Sequence, residues 1–273
     1  MSTRTYNPSV RIGNWYEDIC LEEDTLKDFV EKRDDGQLLI QRSANWRNSL
    51  QNQVQLSVSR DGRIHFGDIM LLVNPGDEER KLGQTAIAVN VSALELQEGS
   101  AFSGTTGATA TSIMTSNART ALIVTSIDGS NDGDTLKYGQ PFALRTFVGN
   151  LFLRSDRSTF MECAKKSRHN PVTFVNEPSH LCEWRILPYN PQIRLELEYS
   201  PVPANEKIVM SHIKTNEDLC VEWKFTIRTA FGTEREVSTH TILDSHKVEI
   251  DVNHWMLMLT VPGDDLMPIQ GVE

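Results

Sequence analysis

The hydrophobic period of this chain changes once, at Val54, and that change limits what it can fold into. Ahead of it, Leu26, Phe29 and Val30 stand at i, i+3 and i+4 and share one helical face. Glu22, Glu23 and Asp24 at the start and Lys32 and Arg33 near the end complement the helix dipole, and Asp34-Asp35-Gly36 supplies a stop. The spacing therefore predicts a helix over residues 22–33, and Leu39, Trp46 and Leu50 predict a second, shorter one. From Val54 onward the period is 2. Val54, Leu56 and Val58 alternate with Gln55, Ser57 and Ser59, Asp61-Gly62 is a two-residue hairpin signal, and Ile64 and Phe66 resume the alternation. Similar short apolar stretches recur at 121–124, 142–144, 151–153, 193–197, 208–210, 219–227, 248–250 and 255–261, separated by Pro, Gly, Asn and Asp. No long helical pattern interrupts them. The fold class is all-β with a short helical N-terminal segment.

Internal similarity narrows the architecture. His65-Phe66-Gly67-Asp68 resembles Lys137-Tyr138-Gly139-Gln140, with the glycines 72 residues apart. Glu183-Trp184-Arg185-Ile186-Leu187 resembles His254-Trp255-Met256-Leu257-Met258, with the tryptophans 71 apart. Two signals at nearly one offset point to three hairpin-rich repeats, each burying its apolar face against the other two, as in a β-trefoil-like body. The first repeat lacks the closing Trp, and a β-sandwich is the alternative. The domains are then an N-terminal extension over 1–53, the β-trefoil-like domain over 54–262, and a C-terminal tail over 263–273. Within the domain, 99–120 consists largely of Gly, Ser, Thr and Ala, with Phe102, Ile113 and Met114 as apolar anchors, and reads as a flexible insertion. Pro188, Pro191, Pro201 and Pro203 mark connectors, because proline cannot donate to a central ladder.

Composition excludes several function classes. With 27 basic against 37 acidic side chains the net charge is −10, so nucleic acid and anionic membrane are not expected partners. The first ten residues hold no apolar signal core, and the longest apolar run, Ile69-Met70-Leu71-Leu72-Val73, is far too short to span a bilayer. Cys20, Cys163, Cys182 and Cys220 form no CxxC, and the chain reads as soluble and intracellular with reduced thiols, which makes the Asn90-Val91-Ser92 sequon a coincidence. Gly99, Gly104 and Gly107 lack the Lys-Ser or Lys-Thr of a phosphate loop. His240, His246 and His254 with Cys220 are too loosely spaced for a zinc site, and a metal-dependent enzyme would need all four to converge. His212 lies on the polar phase of a strand and reads as a satisfied surface or boundary residue, whereas Cys182 and Cys220 read as small buried hydrophobes. Glu17-Asp18 and Glu22-Glu23-Asp24 belong to a helix N-terminus before they form an acid/base pair. No Gly-x-Ser-x-Gly elbow and no Gln-x-Trp lectin signature is present. No catalytic, metal or cofactor residue is predicted, and Trp184 and Trp255 read as core anchors.

One resemblance remains. Arg11-Ile12-Gly13-Asn14-Trp15-Tyr16-Glu17-Asp18, then Leu21-Glu22-Glu23 and Gly36-Gln37-Leu38-Leu39-Ile40-Gln41-Arg42, are distinctive. With Leu56-Ser57-Val58, Ile64-His65-Phe66-Gly67-Asp68, Leu72-Val73-Asn74, Phe231-Gly232-Thr233-Glu234 and Asn253-His254-Trp255, the chain resembles the cilia- and flagella-associated protein 161 family. The likeness covers most of the chain, is most specific over 10–75, and does not extend to 99–120. It implies a microtubule inner protein of motile cilia and flagella. Such a protein sits in the A-tubule lumen of axonemal doublets, contacts tubulin and neighbouring inner proteins, and carries no known catalysis and no cofactor. That would place it in the cytoplasm as part of the cytoskeleton of the axoneme. The residues themselves reach less far: Arg11, Ile12, Asn14, Trp15 and Tyr16 form a candidate partner-binding set, since Arg and Trp are favoured interface anchors, while Ile12 and Trp15 packing on the β body is the plainer alternative. A free cytoplasmic β-trefoil adaptor or ligand-binding module is the other functional reading. It requires a concave polar site on one repeat.

Overall fold

The computed structural model describes residues 15–77, 82–92, 95, 96, 102 and 104–261. Helix α1 (Trp15–Asp34) begins seven residues ahead of the predicted start, with Glu17 and Asp18 in its first turn. It ends where expected. Gly36 takes φ +71°, the Gln37 N–H donates to the Lys32 carbonyl at 2.7 Å, and the Gly36 N–H donates to the Arg33 carbonyl at 3.2 Å. This paired closure needs a left-handed residue that glycine adopts without strain. Helix α2 (Leu39–Gln51) follows at once, and the Gln41 amide reaches back to the Arg33 carbonyl at 2.9 Å. Leu50 is buried, Trp46 is half-buried, and the Trp46 ring meets Phe102 edge-on at 5.5 Å, which ties α2 to the body. No helix among the described residues is long and apolar enough to cross a membrane.

The body is one large antiparallel sheet of twelve strands. They are β1 (Ile69–Asn74), β2 (Thr85–Asn90), β3 (Thr106–Thr111), β4 (Ala121–Ser126), β5 (Phe142–Thr146), β6 (Phe152–Ser155), β7 (Asn170–Val175), β8 (Trp184–Pro188), β9 (Lys207–His212), β10 (Glu217–Thr229), β11 (Gly232–Thr239) and β12 (His254–Met258). Six of them pair in a closed circuit: β1 with β4, β4 with β5, β5 with β8, β8 with β9, β9 with β12, and β12 back to β1. The other six form the hairpins β2–β3, β6–β7 and β10–β11. The first strand of each hairpin pairs with β1, β5 or β9. The second strands β3, β7 and β11 pair with one another.

A single local device precedes β1, β5 and β9. Gly67 (φ +89°), Gly139 (φ +78°) and Asn205 (φ +59°) are all left-handed. Their N–H groups donate to the carbonyls of Val124, Ile186 and Leu257 at 2.8, 2.9 and 3.0 Å. Three residues further on, Met70 pairs with Leu122, Phe142 with Trp184, and Ile208 with Trp255, all six fully buried. Leu122 therefore stands where the two tryptophans stand. Each indole also donates to a backbone carbonyl, Trp184 to Leu153 at 2.8 Å and Trp255 to Leu219 at 2.9 Å, so the core accepts the bulk without an unpaired N–H.

Several expectations are corrected. The supposed insertion at 99–120 contains β3, whose Ala108, Thr109 and Ala110 are buried and which pairs with β2, β7 and β11. Small residues fill it because three ladders meet there and leave no room for large ones. Val54, Leu56 and Val58 do not form a strand: Val58 makes one bridge to Thr260 and is 52% exposed. Nor does Asp61-Gly62 close a hairpin. The Ser59 hydroxyl and Asp61 carboxylate take the Arg63 N–H in a local turn, and Arg63 bridges to Pro203 instead. Residues 193–197 are the last residue of a 3-10 turn followed by further turn, with Leu195 exposed, and 248–250 supplies only the Leu243–Glu249 bridge.

The core position of Leu122 yields a prediction. Leu122→Ala leaves a cavity in a closed circuit and costs about 2–5 kcal/mol in urea unfolding, whereas Val58→Ala stays within about 0.5 kcal/mol despite the apolar alternation around it. Equal losses would mean that the Met70–Leu122 layer is not part of the core.

Candidate interaction surface

The residues singled out for partner binding lie at the N-terminal end of the described chain. Arg11, Ile12 and Asn14 fall outside the described residues. Trp15 opens α1, though its side chain is not among those described, and Tyr16 is 74% exposed. Beyond them the predicted apolar face is present, but nothing covers it among the described residues: Leu26, Phe29 and Val30 are 63%, 51% and 41% exposed. At 3.6 residues per turn Ile19, Leu26 and Val30 line up, with Tyr16 and Phe29 on either side. Eight acidic and three basic residues share the same helix, among them the i, i+4 pair Asp28–Lys32 at 2.7 Å. A pair of this kind adds only a few tenths of a kcal/mol, and an unsupported helix of this length is marginal in water.

Inside the body, the buried glutamates of β10 and β11 are already engaged. Glu234 is buried and accepts from the Arg119 guanidinium and from the Thr109 hydroxyl at 2.6 Å, while Arg119 lies over the Phe231 ring at 4.2 Å. A cavity of about 230 Å³ borders Glu234, Thr85, Trp223 and Arg235, but Arg235 covers the Trp223 ring at 5.4 Å. Glu222 accepts from the Ser238 hydroxyl at 2.8 Å and pairs with His169 Nδ1, and His169 stacks on His240 at 4.0 Å. Serine thus donates to the carboxylate rather than to the imidazole, which is the wrong order for nucleophile activation. Glu236, also buried, accepts the backbone N–H groups of Lys166 and Ser167 at 2.9 and 2.8 Å. These acids sit on strands where an alternating pattern reads them as outward, and no signal in the sequence marks them as interior.

The histidine and cysteine expectations divide. His212 is fully buried, not at the boundary: its Nδ1 meets the Thr215 hydroxyl and its Nε2 the Leu181 carbonyl, both at 2.9 Å, and burial lowers its pKa. His254 is buried against Asp251 and the Glu249 carbonyl, and burial again lowers its pKa. His246 is exposed. No group of three His, Cys, Asp or Glu among the described residues is arranged to hold a metal ion. Cys182 and Cys220 are buried as expected, and burial pushes the Cys220 thiol well up.

The comparisons with known proteins bear on this surface. Residues 42–260 match the family model for the cilia- and flagella-associated protein 161-like domain. The cilia- and flagella-associated protein 161 of Danio rerio is 42% identical over 271 residues, covering 96% of this chain and 90% of the relative. That of Bos taurus is 40% identical over 275 residues, covering 97% and 86%. The chain belongs to the cilia- and flagella-associated protein 161 family. Against the Mus musculus protein of the same name the identity is 39% over 275 residues, so the likeness of the cilia- and flagella-associated protein 161 family runs through nearly the whole chain, α1 included. Among solved structures, a Caenorhabditis elegans protein of unknown function shares the fold at a TM-score of 0.55 and 13% identity, covering 74% of this chain and 98% of that one. The SDF2-like protein from Arabidopsis thaliana does so at 0.52 and 13%, covering 73% and 98%.

One buried acid in this cilia- and flagella-associated protein 161-like body carries a pH signature. Burial pushes the Asp218 carboxyl up to about 6 against the hydrogen bonds from Ser211 and Thr241, with Glu249 adding to the rise and Arg194 opposing it. Below its unfolded value near 3.8 the group is neutral in both states and contributes no difference. As pH rises from about 4 to about 6 the unfolded chain ionises first, and stability falls. Asp218→Asn removes this fall, so the variant is more stable than the parent by about 1–3 kcal/mol at pH 7.5 and equal to it near pH 3.5, read by urea unfolding. A parent whose stability does not fall between pH 4 and 6 overturns the assignment.

Proposed function

We propose that this chain is a non-enzymatic structural protein of the axoneme, a microtubule inner protein that binds tubulin and neighbouring inner proteins in the A-tubule lumen of ciliary and flagellar doublets and stabilises them. The observation that carries the reading is the uncovered face of α1: Tyr16, Leu26, Phe29 and Val30 stay in water on a helix with little support of its own. Each such side chain gains about 1.5–3 kcal/mol when fully buried, so a groove on a partner would both order the helix and capture it. Family membership supports the ciliary setting, because the curated relatives bear the name cilia- and flagella-associated. Repetition along a lattice turns a modest single contact into firm retention. Arg11, Ile12, Asn14, Trp15 and Tyr16 extend the same docking element toward the N-terminus.

We assign the body to a β-trefoil-like arrangement of three repeats, with 1–53 as the docking extension, 54–262 as the body and 263–273 as a tail. In support, the circuit of six strands carries three hairpins and the left-handed device at Gly67, Gly139 and Asn205 recurs once per third of the body.

The test is fractionation. Tagged chain expressed in ciliated cells is expected to remain with salt-washed axonemes, and Leu26→Ser with Phe29→Ser to shift about tenfold more of it into the detergent-soluble pool. Wild-type chain found wholly in that soluble pool would end the doublet reading.

A further inference from the structure

The connection between β6 and β7, residues 156–169, holds the two most exposed neighbouring apolar side chains described: Phe160 at 96% and Met161 at 87%. They do not hang from a loose loop. The Thr159 N–H donates to the Glu162 carbonyl at 2.7 Å, and the Glu162 N–H donates to the Thr159 hydroxyl at 3.0 Å, so the turn that presents them is closed from both sides. Its base is braced as well. The Ser158 N–H donates to Asn170 Oδ1 at 2.8 Å, and the buried Glu236 carboxylate takes the Lys166 and Ser167 N–H groups. A braced turn presents its side chains already ordered, which cuts the entropic cost of docking.

The charge of this connection opposes that of the chain. Arg157, Lys165, Lys166 and Arg168 are exposed along the connection, with the Lys166 ammonium on the Thr226 carbonyl at its base, against the acids Asp156 and Glu162. Asp156 is already engaged by Arg154 at 3.1 Å and by the Arg157 N–H at 2.7 Å. A basic, apolar projection on a chain of net charge −10 is complementary to an acidic surface containing an apolar cleft. A protein surface fits better than a bilayer. An anionic membrane would repel the rest of the chain, and two side chains bury too little to anchor it there.

We propose that the β6–β7 tip is a docking site for an acidic protein surface of the doublet, with Phe160 and Met161 seated in a cleft and Arg157, Lys165, Lys166 and Arg168 on its rim. This rests on the doublet reading above for its partner and on an element separate from α1. Full-length tagged chain replaces the native copy in ciliated cells, and isolated axonemes are washed with rising salt. Phe160→Ser with Met161→Ser, and separately Arg157→Glu with Lys165→Glu, are each expected to lower the retained fraction about tenfold at a salt concentration that wild type withstands. Leu195→Ser, equally exposed elsewhere, is expected to behave as wild type. All four chains should unfold at the same temperature, since no altered side chain is buried. If the tip variants are retained like wild type, the tip proposal fails and the doublet reading stands. If wild type itself washes out, both fail. Flotation of purified wild type, but not of the Phe160/Met161 variant, on vesicles of phosphatidylcholine and phosphatidylserine would overturn the protein-docking assignment in favour of a membrane tip.

Discussion

Closure of the strand circuit is the constraint from which the rest of this structure follows. An open six-stranded sheet presents two rows of unpaired N–H and C=O groups, whereas the ladder that returns from β12 to β1 leaves the circuit none. The outer strands of the three hairpins would be the next edges, and the mutual pairing of β3, β7 and β11 occupies them too. Partners are therefore not recruited by adding a strand to either set. Contact has to be made by what projects from the sheet, namely the helical segment and the hairpin connections. The exposed apolar side chains of α1 and of the β6–β7 connection lie in those places.

The second consequence is a polar interior. Strands β10 and β11 run from the circuit into the hairpin layer and bury Glu222, Glu234 and Glu236 on the face opposite the core residues Val221 and Val237. A buried carboxylate is costly unless it is hydrogen-bonded, and here all three are: Glu222 through one oxygen by His169 and Ser238, Glu234 by Arg119 and Thr109, and Glu236 by the backbone of Lys166 and Ser167. Replacing a buried ion pair with well-packed apolar residues is often neutral, so stability alone does not explain the presence of these acids. Glu236 has a more specific use. It fixes the base of the connection that carries Phe160 and Met161, so an interior charge sets the direction of a surface projection.

What the sequence discloses depends on whether the local pattern and the tertiary demand agree. They agree at Gly36, where a glycine follows an apolar stripe and does end the helix, and at Trp184 and Trp255, whose spacing marks matched positions in the core. They part at Asn205. A polar residue tolerates the same left-handed backbone as Gly67 and Gly139, so a search for aromatic-glycine pairs finds two occurrences where the structure has three. In β3 the tertiary demand is for small side chains where three ladders converge, and a strand built from Thr, Gly and Ala has the composition of a linker. The alternation of Val54, Leu56 and Val58 misleads in the opposite sense, because a local turn at Ser59 and Asp61 diverts the chain before a ladder can form. For the interaction surface, the helical stripe is legible as a pattern. Its exposure is not, since periodicity says which residues share a face and nothing about whether the chain itself covers that face.

The net charge conceals an asymmetry that bears on how such a molecule would sit in an assembly. Helix α1 has eight acidic residues and three basic around its apolar face, while the β6–β7 connection has four basic and two acidic around its own. Averaged over the chain these give the −10 that argues against nucleic acid and lipid, yet neither surface is described by that average. A partner patch of one sign attracts one of the two elements and repels the other, so charge selects which end of the molecule faces which neighbour. A free adaptor with a single binding site has no need of two oppositely charged apolar projections on a body without edges. A component wedged between unlike neighbours in a repeating lattice does, because each copy must enter in one orientation.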